Sequence, residues 1–152
     1  MLGIFRRRKA LENGAVLLGH LDRQVDAIWQ AHGFAVPPIL RSFFFHDYMT
    51  GLFTAAERSG HLSRRAAKRA YTGYMQQKFG APRSAAVSCY RVSRGHCRGN
   101  PHEKAFRDGL ADGHALLAQQ PADTPLIRQF EMEKMKDATV VGRFWPVAGS
   151  AD

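Results

Sequence analysis

The stretch SCYRVSRGHCRGNPHEK, residues 88–104, holds both cysteines of the chain and two of its seven histidines. Cys89, His96, Cys97 and His102 are side chains of the types zinc prefers, and a tetrahedral site takes four ligands. The spacing C-x6-H-C-x4-H asks two adjacent residues to hold one ion, unlike paired knuckles with two residues between ligands. The same segment offers a second chemistry. Cys97 has Arg94 and Arg98 as neighbours, cations that favour a thiolate, but no acid close in sequence would orient a partner base.

A third constellation lies earlier in the chain. His46, Asp47, Thr50, Thr54 and Glu57 recur at spacings near three and four, a narrow polar stripe on an otherwise Phe-rich segment. The stripe either reaches solvent or lines an internal polar pocket, because ionisable groups on a buried helix must find partners. The pocket reading uses His46, Asp47 and Thr50, with His20 or His114 in support. His46-Asp47 is similar to the paired His-Asp of helical metal-dependent phosphohydrolases, a resemblance that implies further ligands such as His20, Asp108 and Asp112. Here the chain continues YMTGLF, where small and lysine residues follow in that family. Phosphate loops, dinucleotide fingerprints and nucleophile elbows are absent from the sequence. No catalytic residue is assigned, and no cofactor is expected beyond the candidate zinc.

Charge is the stronger signal. The formal net charge is +9, and it is gathered in one place. From Arg58 to Arg98 there are ten Lys and Arg residues (58, 64, 65, 68, 69, 78, 83, 91, 94, 98) and no Asp or Glu. The rest of the chain, with twelve basic and thirteen acidic residues, sums to −1. Within the acid-free run, Ala67, Ala70, Tyr71, Tyr74 and Met75 form one helical face, with Arg64, Arg65, Lys68 and Arg69 opposite. Acids three or four residues away usually partner such cations, and here there are none. Either Glu131, Glu133 and Asp137 answer them from another helix, or the face docks an acidic partner. In the second case Arg91, Arg94 and Arg98 add to it, and the partner is a nucleic acid or an acidic protein surface. The first nine residues place Leu2, Ile4 and Phe5 before Arg6-Arg7-Arg8-Lys9, a composition suited to weak contact with an anionic membrane surface.

These groups need a scaffold. At 152 residues and 45% hydrophobic the chain suits one domain with a packed core that needs no disulfide or metal. Two cysteines make no disulfide framework, no apolar run spans a membrane, and Glu12 and Asp22 interrupt any signal-like stretch. The expectation is a cytoplasmic, compact all-α bundle of five to six helices, residues 1–152, with a flexible basic arm over 1–10 and an extended tail over 138–152. The spacing predicts a helix from Gly14 to Ala31, closed by Gly33. A Phe-rich hub follows from Pro37-Pro38 to about Ser59, then the basic helix up to Gly80. A short helix runs from Ser84 to near Gly95. The next opens at Asn100-Pro101-His102-Glu103 as a capping box, with Phe106, Leu110, Leu116 and Leu117 facing the core. The last begins at Asp123-Thr124-Pro125, uses Ile127, Phe130 and Met135, and leaves Phe144 and Trp145 to anchor the tail.

Overall fold

The computed structural model describes residues 2–136, which form six helices and, among the described residues, no strand. They are α1 (Leu2–His32), α2 (Phe43–Arg58), α3 (Arg64–Phe79), α4 (Arg83–Gly99), α5 (Lys104–Leu117) and α6 over 125–136. A short 3-10 turn (Pro38–Arg41) precedes α2. The fold is thus the expected all-α bundle. Among the described residues no helix is long and apolar enough to cross a membrane. The expected tail, with Phe144 and Trp145, lies outside the described residues.

The bundle is built around α2. Phe45, Tyr48, Met49, Leu52 and Phe53 are all buried, and around them pack Leu17, Leu21, Val25 and Ile28 of α1, Ala67 and Tyr71 of α3, and Leu126 of α6. A helix apolar over most of its circumference belongs at the centre, because each face must be covered.

α2 and α5 meet backbone against backbone. Gly51 of α2 sits against Gly109 of α5, and a Cβ on Gly51 would stand 2.9 Å from Gly109 Cα. One turn on, a Cβ on Gly113 would meet Leu52 O at 2.8 Å. Glycine four residues apart on one helix lets two axes approach until main chains touch. The core face of α5 is therefore made of Ala105, Phe106, Gly109 and Gly113, while Leu110, Leu116 and Leu117, expected there, are only half-buried.

Several boundaries differ from those read in the sequence, each for a local reason. The first helix begins at Leu2 rather than Gly14, so the residues read as an arm are helical and exposed over 2–9, with Arg8 and Glu12 paired one turn apart. Their Leu, Arg and Lys content favours helix. Gly33 closes α1 at φ +112, as expected. The segment from Pro37 does not run continuously into α2, because Ser42 is extended and its hydroxyl donates to Ile39 O instead of capping. Asn100 is not an N-cap. Its side-chain and backbone N–H groups both return to His96 O, so it ends α4 at Gly99, beyond the expected stop at Gly95. Pro101 and His102 form a turn, and α5 starts at Lys104.

Gly109→Val should cost about 3 kcal/mol or more, the upper range for forcing volume into a full contact. Gly73→Ala, where an added Cβ meets nothing within 4 Å, should instead stabilise by about 0.5–1 kcal/mol, as expected for glycine in a helix interior. Urea denaturation of the two variants checks both signs.

Candidate anion-binding groove

The turn at Gly80-Ala81-Pro82, with Gly80 at φ +65, folds α3 and α4 back on each other. Tyr71 and Tyr90 meet edge to face between them, ring centroids 5.3 Å apart. Their outer edges form a groove of about 620 Å³, lined by Arg64, Arg65 and Lys68 from α3 and Arg91, Arg94 and Arg98 from α4. Tyr90 and Gly95 complete the lining, and no carboxylate is among it. Six of the seven cations named from the sequence thus come together. Arg69 stays exposed on α3 outside the groove.

Among the described residues, distant acids answer only two cations of the acid-free run. Lys78 is held by Asp22, at 3.0 Å, and by Asp26. Arg94 forms a two-pronged pair with Glu57, Nη1 to Oε1 and Nη2 to Oε2 at 2.8 Å each, while Nη1 also donates to the Tyr90 hydroxyl at 2.8 Å. The guanidinium is held firmly in its charged form, first by those hydrogen bonds to Glu57. Arg64, Arg65, Lys68, Arg91 and Arg98 meet no carboxylate among the described residues. Glu133 is occupied by Gln129, Glu131 pairs with none of them, and Asp137 lies outside the described residues.

Beneath the groove, the polar stripe of α2 turns inward rather than to solvent. Asp47 is 1% exposed, and three donors from α4 converge on it. Ser93 Oγ donates to Oδ1 at 3.1 Å, Cys97 Sγ to Oδ1 at 3.4 Å, and His96 Nδ1 to Oδ2 at 2.8 Å. Thr50 donates to Ser93 at 2.7 Å, and the Tyr71 hydroxyl meets His46 Nδ1 at 2.6 Å. Thr54 returns to Thr50 O. Burial depresses the pKa of His46, with Asp47 opposing, which keeps its imidazole neutral and able to accept from Tyr71. No buried side-chain polar atom is left without a partner among the described residues. The stripe is therefore an internal seam joining α2 to α3 and α4.

This arrangement divides the candidate zinc set. His96 and Cys97 come together, but with Asp47 as the third group of ligand type. Cys89 is half-buried two turns away on α4, and His102 is exposed in the turn after it. The surroundings of Cys97 lend the thiolate reading no support. The Cys97 thiol is pushed up to about 12, first by burial and then by the Asp47 charge, the reverse of activation. The phosphohydrolase-like ligand set does not assemble either: His20 and Asp112 sit with Tyr48 and Gln24, while His46 faces Tyr71 and Asp47 faces α4. Asp108 pairs with Lys104, and His114 is exposed.

That second cluster was not read from the sequence. Tyr48 donates to Asp112 at 2.7 Å and accepts from Gln24 at 3.0 Å. Gln24 Oε1 and Asp112 Oδ1 take the backbone N–H groups of Leu126 and Asp123, both at 3.1 Å, and His20 donates to Asp123 O at 2.8 Å. Ser93 and Glu57 were missed as partners as well. Ser93, His96 and Cys97 are spaced three and four apart, a signal visible only once α4 is carried through to Gly99.

Comparison with known proteins finds no matching family model, no similar curated protein and no similar solved structure. Function therefore rests on the geometry.

Because its folded pKa lies above the thiol's ordinary 9.0, Cys97 contributes stability that is intact below about pH 9 and lost as pH rises through about 12. Iodoacetamide at pH 8 should leave Cys97 unmodified in the native protein and alkylate it fully in urea, read by peptide mass spectrometry.

Proposed function

We propose that the protein is a non-catalytic binding module whose α3–α4 groove docks a phosphate-rich partner, nucleic acid foremost. The observation that carries this reading is a groove with six cations in its wall and no carboxylate. Like charges gathered along one groove repel each other. A bound anion removes that cost. Five of the six are arginines, whose planar fork matches phosphate oxygens two at a time. Arg94 is already fixed by Glu57 and Tyr90, so it loses little freedom on binding. Tyr90, at 5% exposure, offers no ring face to stack a base, which favours recognition of the phosphate backbone over recognition of sequence. The same charges suit an acidic protein surface, and binding to polyglutamate but not to DNA would assign the groove to that partner.

Fluorescence anisotropy with short duplex DNA tests the reading. For five phosphate contacts the log–log salt dependence should have a slope of about −4 to −5, a loss of several hundred-fold between about 50 and 200 mM salt. The double variant Arg65→Glu, Arg91→Glu should bind at least about 100-fold more weakly, while Arg23→Glu, Arg107→Glu, which changes net charge equally outside the groove, should lose far less. Absence of binding at low salt, or equal losses in the two variants, would overturn the assignment.

A further inference from the structure

A different chemistry sits on the seam between α2 and α4, independent of the groove. One ligand-type atom from each of Asp47, His96 and Cys97 lies within 4.8 Å of the others. His96 Nδ1 is 2.8 Å from Asp47 Oδ2, and Cys97 Sγ is 3.4 Å from Asp47 Oδ1. Around a tetrahedral ion with bonds of about 2.0–2.3 Å, neighbouring ligand atoms stand about 3.3–3.7 Å apart. Each side chain would have to yield by no more than about 1 Å to hold an ion between them.

The surroundings fit a cation. Asp47 is almost wholly buried, and no Lys or Arg pairs with it among the described residues; its one ion-pair partner is His96. Inside a chain of net charge +9, this is a negative spot facing inward. The supporting contacts are those that orient metal ligands. Ser93 and Thr50 brace the Asp47 carboxylate, and the Phe43 ring lies against the His96 imidazole, centroids 4.7 Å apart. Ser93 also lines a neighbouring pocket of about 220 Å³ with His46 and Cys89.

We propose that Asp47, His96 and Cys97 form a binding site for a divalent transition metal, zinc by ligand preference, with the fourth position left to Ser93 or water. One thiolate, one imidazole and one carboxylate suit zinc better than magnesium or calcium, which select oxygen ligands. The charge closes: the ion carries +2, Asp47 and the thiolate of Cys97 carry −1 each, and the buried site becomes neutral. The proton count closes as well. The thiol proton leaves to solvent, and the imidazole proton moves from Nδ1 to Nε2, so one proton is released per ion bound.

The test uses the full chain and the metal alone. Protein purified without chelator is analysed by elemental mass spectrometry; the stripped protein is then titrated with Co²⁺ and read by its thiolate-to-cobalt charge-transfer absorption. One equivalent of ion, a charge-transfer band removed by excess Zn²⁺, and loss of both in Cys97→Ser support the site. Cys89→Ser and His102→Ala should retain metal and band, which separates this ligand set from the one spaced along residues 89–102. If Cys97→Ser does not fold, His96→Gln, at a half-exposed position, takes its place and should weaken Co²⁺ binding by more than about 100-fold, beyond the loss from removing a supporting group. No charge-transfer band in the wild-type protein, a band that survives Cys97→Ser, or an unchanged Co²⁺ affinity in His96→Gln overturns the proposal.

Discussion

Two helices touching main chain to main chain set the terms for everything else in this molecule. With Gly51 against Gly109 and Leu52 against Gly113, α2 is committed to α5 along one side, and no side chain can be interposed there. The residues of α2 that point the other way, Asp47, Thr50 and Glu57, are thereby turned towards α4. A carboxylate that could have stayed wet is instead desolvated, and it persists because α4 brings three donors to it.

The charge distribution follows from the same placement. Glu57, at the end of the stripe, reaches one arginine of α4 and fixes it; Asp22 and Asp26, on α1, reach Lys78 at the far end of α3. The groove between α3 and α4 carries five further cations that meet no carboxylate among the described residues. Surface ion pairs contribute little to stability, so this pattern says less about folding than about what the face can receive.

How much of this was legible in the sequence depended on the range of the interaction. Helical class, the central position of the Phe-rich helix, the Gly33 and Gly80 breaks and the acid-free basic run are set by local pattern, and all stand in the structure. Asn100-Pro101 carries the same residues whether it opens a helix or closes one. The donors that settle the matter are the backbone and side-chain N–H groups of Asn100 reaching back to His96, and spacing alone does not reveal their direction. The ligand-type cluster was half visible: His96 and Cys97 are adjacent, but Asp47 is 50 residues from Cys97 and joins them only through helix packing. The Tyr48–Asp112 pair, 64 residues apart, left no local trace at all. Glycine pairs such as Gly109 and Gly113 read as flexibility in a list of residues and as close approach only in three dimensions.

One helix carries both proposed sites on alternate sides. On α4, residues 91, 94 and 98 look outward to the groove, while 93, 96 and 97 look inward to Asp47. A rigid rod cannot shift for one side and stay still for the other. Thermodynamic linkage then makes any such cross-talk mutual: an occupant of the outer side that displaces α4 alters affinity on the inner side by the same factor as an inner occupant alters affinity on the outer.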